Sequence, residues 1–426
     1  MLLPFGHRYL HCCDINTICL LNRMENSRQN YDEHTNDSDK VDGSMIDETA
    51  EIDTWDELDI SPELLRGIYA YGFEKPSPTQ RKAISPMLSR RDIINQAQSG
   101  TGKTGCFAIA SLSITDLSLK ATQVLILSPT RELSIQTGNI IRQLGFSMKD
   151  LVVQVLVGGS SIDADVSQLK SNPPHIITGC PGRIYDMLNR RHIRGNAIKL
   201  IVVDEADEML SDGFSQQLYD IFRHLNKDVQ VAFFSATFND QTFSIIEKIT
   251  KNPIKIIVKA EQLTLKGIKQ YYIALDNDEQ KYETIKDLYG FLTLSQCIIY
   301  ANSVNRVMRL YDAMLADGFP VCCIHSNMDK SSRDKVFMDF KQGATRVLIS
   351  SNITARGIDV QQVSTVINFD IPKDIYTYLH RIGRSGRWGR KGMGINLITK
   401  RDVAKMKEIE EYYQTEIVEL PADYNK

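Results

Sequence analysis

The residues best suited to chemistry in this 426-residue chain form one short run, Ala97-Gln98-Ser99-Gly100-Thr101-Gly102-Lys103-Thr104. Small residues let backbone N–H groups wrap a phosphate, a lysine reaches the outer phosphates, and a hydroxyl can ligate magnesium. The run follows an apolar strand-like segment, Asp92 to Asn95, and precedes a helix-like one, Cys106 to Ala110. It matches the phosphate-loop pattern except at its first glycine, which is Ala97. A second apolar run, Lys199 to Val203, ends in Asp204-Glu205-Ala206-Asp207. A carboxylate at such a strand end can hold magnesium through water, and its neighbour can orient the attacking water. A third run, Gln230 to Phe234, ends in Ser235-Ala236-Thr237, residues that would more often be helix caps if read alone. Three motifs at three strand ends converge on one crevice, because ligands of open parallel sheets bind at the carboxyl edge.

The elements that must position these motifs repeat one grammar: a short Val/Ile-rich run, a turn, then an amphipathic stretch. Further strands are expected at Val124–Ser128, Val152–Val157 and His175–Thr178. Continuous apolar runs separated by helical patterns imply parallel sheets with helices on both faces. Residues 259–269 (KAEQLTLKGIK) lack an apolar helical face and suit a linker. Beyond it strands are expected at Cys297–Tyr300, Val321–Ile324, Arg346–Ser350, Thr365–Asn368 and Gly394–Ile398. The expectation is therefore an acidic, disordered leader over 1–53, a first α/β domain over 54–258, the linker, and a second α/β domain over 270–426.

Charge fits this division. The whole chain carries −3, but residues 25–60 hold thirteen acidic and two basic side chains, a net of −11. With +1 on the first 24 residues, residues 61–426 carry +7, a mildly basic body behind an acidic leader. The eight cysteines show no C-x-x-C pair, which argues against a disulfide framework or a zinc site. Arg8 and Asp14 interrupt the apolar start, and no run reaches a membrane-spanning length, so an intracellular protein away from membranes is expected.

The ordered set AQSGTGKT, PTREL (Pro129–Leu133), DEAD (Asp204–Asp207), SAT (Ser235–Thr237), ARGID (Ala355–Asp359) and HRIGRSGR (His380–Arg387) resembles the DEAD-box ATP-dependent RNA helicases. The resemblance covers about residues 54 to 420. Within the family, YAYGFEKPSPTQ (Tyr69–Gln80) and DEADEMLSDGF (Asp204–Phe214) are most similar to the branch that serves translation initiation and to its nuclear paralogue. It implies two tandem RecA-like domains, with ATP and Mg2+ bound between them and RNA as the ligand that favours closure. Phe73 would stack on adenine and Gln80 would bond its edge. Gln98 to Thr104 would hold the phosphates, with Thr104 and Asp204 on magnesium. Glu205 would prepare water and Arg384 and Arg387 would act as arginine fingers. Gly357 would approach the outer phosphate and Asp359 the ribose. Ser235, Thr237, Asp207 and His380 would couple the domains.

The implied RNA track is Pro129, Thr130, Arg131, Gly158, Gly159, Pro181, Gly182 and Arg183 in the first domain. In the second it is Asn302, Ser303 and Ser351. Glycines and positive charge suit contact with the sugar-phosphate backbone, with weak base preference. The resemblance implies a cytoplasmic monomer, with a nuclear alternative, joined by translation-initiation scaffold proteins; an ATP-gated RNA clamp is the competing role. Three departures stand out: Cys180 for the usual threonine before Pro-Gly-Arg, Ser351-Asn352 for Thr-Asp, and Lys330-Ser331-Ser332-Arg333 for the QxxR element. Weaker RNA stimulation with hydrolysis retained is expected from them.

Overall fold

The computed structural model describes residues 51–98, 100–211, 213–257, 267–292, 295–354, 363–385 and 392–421. Ser99, Gly357, Asp359 and Arg387 lie outside the described residues, as do residues 1–50 of the expected leader and most of the expected linker.

The first domain carries strands β1 (Ile93–Gln96), β2 (Val124–Leu127), β3 (Val153–Leu156), β4 (Ile176–Gly179), β5 (Leu200–Asp204), β6 (Gln230–Ser235) and β7 (Ile254–Ile257). They form one parallel sheet in the order β3-β4-β2-β5-β6-β1-β7. β1 thus sits beside β6, and β6 beside β5. Gln96 pairs with Ser235, and Asp204 with Phe234. The three chemical motifs therefore leave one sheet edge from three adjacent strands. The strands read as continuous apolar runs because both faces are covered: Ile126, Val202 and Phe234 belong to one core cluster, Leu125, Val203 and Phe233 to the other. Phe107, from the helix behind the phosphate loop, packs edge-on against Phe234 at 5.2 Å. Burying each ring contributes about 2 kcal/mol, so the loop rests on a rigid base.

The second domain repeats the plan with β8 (Ile268–Ala274), β9 (Gln296–Tyr300), β10 (Val321–Ile324), β11 (Val347–Ser350), β12 (Val363–Asn368), β13 (Gly392–Ile398) and β14 (Val418–Glu419). Their order is β10-β11-β9-β12-β13-β8-β14, again all parallel.

Sequence reasoning missed β7, β8 and β14. β7 and β14 are edge strands, and β8 is only half-buried, so none shows the continuous apolar run that marked the others. Ile268 and Lys269, expected in the linker, begin β8 and pair with β13. At the other boundary Ile52 and Asp53 are part of the first domain. Ile52 is buried in its core, Asp53 pairs with Arg81, and Glu51 lies 3.4 Å from Lys82. One apolar anchor and two cations on a neighbouring helix hold a segment whose composition alone reads as unfolded.

Candidate active site

The phosphate loop turns through Gly100 (φ +82°) and Gly102 (φ +98°), left-handed conformations that favour glycine. A Cβ at Gly102 would also fall 2.8 Å from Gln80 Nε2. Thr101 Oγ1 donates to the Gln98 carbonyl at 2.7 Å, closing the loop before the helix Lys103–Ser113 begins. Lys103 is buried, and its ammonium has no hydrogen-bond partner in the described structure. A buried ammonium facing a loop of backbone N–H groups fits a polyphosphate. Asp204 at the end of β5 is also buried. Burial first, and then the charge of Glu205, push its carboxyl up to about 7, while Lys103 pulls the other way. That environment favours arrival of a cation, as the donor set of Asp204 and the half-buried Thr104 requires for Mg2+. Glu205 adopts φ +51°, a conformation that costs a non-glycine residue about 1 kcal/mol. Lys103, Thr104, Asp204 and Glu205 line one cavity of about 580 Å³.

Phe73 and Gln80 line the same cavity. The Phe73 ring meets Tyr71 edge-on at 4.8 Å and stacks with buried Trp55 at 6.3 Å, and Trp55 Nε1 donates to the Phe73 carbonyl at 2.8 Å. Gln80 also has scaffold contacts. Its Oε1 accepts from the Ser77 N–H at 2.8 Å and its Nε2 donates to the Gly102 carbonyl at 3.1 Å. The amide fork expected on adenine here braces the phosphate loop.

The second domain completes the cavity. Arg384, only 4% exposed, lines it from across the crevice. Asp207 accepts from Ser235 Oγ at 2.7 Å and from Thr237 Oγ1 at 2.8 Å. His380 Nε2 lies 3.1 Å from Asp207 Oδ2 and 3.3 Å from Thr237 Oγ1. The four residues expected to couple the domains thus meet in one hydrogen-bonded group.

A second cavity of about 580 Å³ opens in the crevice, lined by Pro129, Thr130, Arg131 and Cys180 of the first domain and by Arg333 and Asn352 of the second. Thr130 caps the helix Arg131–Leu144, and Pro181 opens the helix Pro181–Asn189, which contains Gly182 and follows Cys180. Of the two arginines expected on RNA, Arg131 lines this cavity and Arg183 does not. Arg183 is ion-paired with Asp165 and donates to Ser160 Oγ at 3.1 Å and to the Ser160 carbonyl at 3.0 Å. Arg131 donates to the Gly158 carbonyl and stands 4.0 Å from Asp334 of the second domain. Both brace the loop Gly158–Ser160, which turns at Gly159 (φ +79°). Arg183 is buried in doing so, and so does not face the crevice as expected. Truncating it leaves Asp165 buried and unpaired, so Arg183→Ala should cost about 3 kcal/mol or more in chemical denaturation. The double variant Arg183→Leu with Asp165→Leu should recover most of that. An unchanged denaturation midpoint for the single variant would return Arg183 to a solvent-facing role.

Asn302 is likewise committed to structure. Its N–H donates to Asp370 Oδ2 at 3.0 Å, its Nδ2 to the Ile371 carbonyl at 2.7 Å, and its Oδ1 accepts from Arg381 at 2.7 Å. Ser303 caps the helix Val304–Ala316, and half-buried Ser351 follows β11. Arg333, the surviving residue of the altered element, faces Glu132 at 4.0 Å. Sequence reasoning assigned no role to Arg381, Asp370 or Asp165. Their one sequence signal was a charged residue placed where the surrounding pattern calls for burial.

These features define a two-domain phosphate-loop nucleoside triphosphatase whose cavity is lined from both sides of a crevice. Residues 77–245 match the family model "DEAD/DEAH box helicase", and residues 280–389 match "Helicase conserved C-terminal domain". The chain is 47% identical over 378 residues to the ATP-dependent RNA helicase eIF4A of Neurospora crassa, spanning 89% of this chain and 94% of that one. It is 46% identical over 372 residues to the ATP-dependent RNA helicase FAL1 of Candida albicans, spanning 87% and 93%. Saccharomyces cerevisiae Dbp5 bound to RNA and ADP BeF3 superposes with a TM-score of 0.82 at 34% identity, over 88% of this chain and 97% of that one. The chain belongs to the DEAD-box family of ATP-dependent RNA helicases.

Proposed function

We propose that this chain hydrolyses ATP in the cavity between its domains and uses closure to grip single-stranded RNA by its backbone, separating short duplexes locally in translation initiation. The observation that carries the reading is Arg384 of the second domain lining the cavity that holds Lys103, Asp204 and Glu205 of the first. Lys103 and the loop N–H groups hold the phosphates, Glu205 orients and deprotonates water, and Arg384 meets the charge that develops on the transferred phosphoryl group. Mg2+, when bound by Thr104 and by Asp204 through water, supplies charge neutralisation at the phosphates. Phe73 supports the base. Asp207, Ser235, Thr237 and His380 make the site sensitive to closure, and RNA in the crevice favours closure. On this reading the protein is a cytoplasmic monomer recruited by initiation scaffold proteins.

An ATP-gated clamp in RNA processing is the second reading, because a clamp would use the same cavity lined from both domains. ATPase measured alone, with single-stranded RNA and with DNA of the same sequence tests the main proposal. Stimulation by RNA only is expected, and equal stimulation by DNA overturns it. Release of RNA once hydrolysis is complete is expected of the helicase, whereas retention in the presence of a partner points to the clamp.

A further inference from the structure

Arg381 is fully buried in the second domain, and all its hydrogen-bond partners are neutral. Its Nε donates to Asn352 Oδ1 at 2.9 Å and its Nη2 to the same oxygen at 2.5 Å and to Asn302 Oδ1 at 2.7 Å. Its Nη1 donates to Asn368 Oδ1 at 3.1 Å and to the Asp370 carbonyl at 2.8 Å. The Tyr300 ring lies 5.2 Å away. The asparagines come from the ends of β9, β11 and β12, three adjacent strands, so one guanidinium ties together the crevice edge of the sheet. Asp370 and Asp374 act on its charge through space, but neither carboxylate bonds it. Asp370 Oδ1 and Oδ2 are taken by Arg306 at 2.6 and 2.7 Å, with Lys281 at 3.7 Å, so two other cations already share it.

A buried charge with only dipolar partners keeps its field, and low-dielectric surroundings direct that field toward the nearest solvent opening. That opening is the crevice, because Asn352 is exposed and lines it beside the cations Arg131 and Arg333 and the carboxylates Glu132, Glu208 and Asp374. We infer that Arg381 acts on RNA from behind, as a buried cation with no bonded carboxylate whose charge attracts the sugar-phosphate backbone, and that Asn352 is the residue that leaves it without one. Arg381 is thus a positioning residue for the Asn302 and Asn352 loops and an electrostatic contributor to the crevice. The inference rests on the RNA-binding reading above, and it gives Asn352 the opposite sign from the loss expected on sequence grounds.

Asn352→Asp is the test, since a carboxylate there would accept from the same two guanidinium nitrogens. Two readings are taken: thermal midpoint, and affinity for single-stranded RNA with a non-hydrolysable ATP analogue across a salt series. The variant should melt higher, because a buried guanidinium gains a charged partner. It should bind RNA roughly threefold to tenfold more weakly at low salt, with a shallower salt dependence as one attractive charge is cancelled. A lower midpoint, or RNA affinity equal to or tighter than wild type, overturns the inference. A weakening that persists unchanged at high salt also overturns it, since a steric effect would not be screened. Failure of the wild-type protein to bind RNA would instead sink the underlying functional reading.

Discussion

Lys103→Ala is expected to lower ATP turnover by about 10³-fold or more, the scale on which removal of a preorganised charge from a phosphoryl-transfer site acts. Two readouts give this outcome its meaning. Lys103 is buried, its ammonium has no hydrogen-bond partner among the described residues, and its charge acts on the carboxyl of Asp204. The free variant should therefore lose some stability as Asp204 and Glu205 lose that cation, and the increase in thermal midpoint that ATP produces in the wild-type protein should vanish. Glu205→Gln should separate binding from chemistry. Its amide keeps the size of the side chain at the strained φ +51° position but cannot accept the water proton, so ATP should still raise the midpoint while turnover falls by about 10² to 10⁴. If either variant retains turnover within tenfold of wild type, hydrolysis takes place elsewhere.

The site's frame could be read from sequence because parallel strands buried on both faces leave long apolar runs, and because ligand chemistry must lie where those runs end. β1, β5 and β6 each ended on a recognised motif, and the pairing of Gln96 with Ser235 and of Asp204 with Phe234 places them side by side. Side-chain direction was not legible. Arg183 reads as pointing at RNA from charge and position, but an arginine is long enough to fold back on its own loop, and Asp165, 18 residues away in sequence, supplies the partner. Asn302 and Gln80 also make scaffold contacts that the sequence does not announce. An amide beside a ligand site can serve the ligand or the scaffold, and only the positions of its neighbours decide. The buried polar chain Gln270–Tyr378–Asn396–Asn368–Arg381 has no sequence signature, since its members come from three strands and one helix and their contacts exist only after the sheet is assembled.

Arg384→Ala is expected to lower RNA-stimulated turnover by about 10³ to 10⁵ while leaving ATP affinity close to wild type. The two effects separate because the first domain already contributes Lys103, Thr104 and the loop N–H groups to the cavity, whereas Arg384 arrives from the second. Its Nε donates to the His380 carbonyl at 3.1 Å, so the guanidinium is oriented by the same residue whose imidazole meets Asp207 at 3.1 Å. Closure and arginine placement are then one event, and a phosphoryl transition state gains the arginine only when the crevice is shut. Arg384→Lys should recover little, because a point ammonium cannot reproduce the planar, multi-donor fork of a guanidinium. His380→Ala should give an intermediate loss, carried by weaker coupling, with single-turnover rates that still rise at saturating RNA. Stopped-flow phosphate release with and without RNA measures all three variants. Arg384→Ala turning over within tenfold of wild type would show that the second domain acts only as a clamp on RNA, with the chemistry complete in the first domain alone.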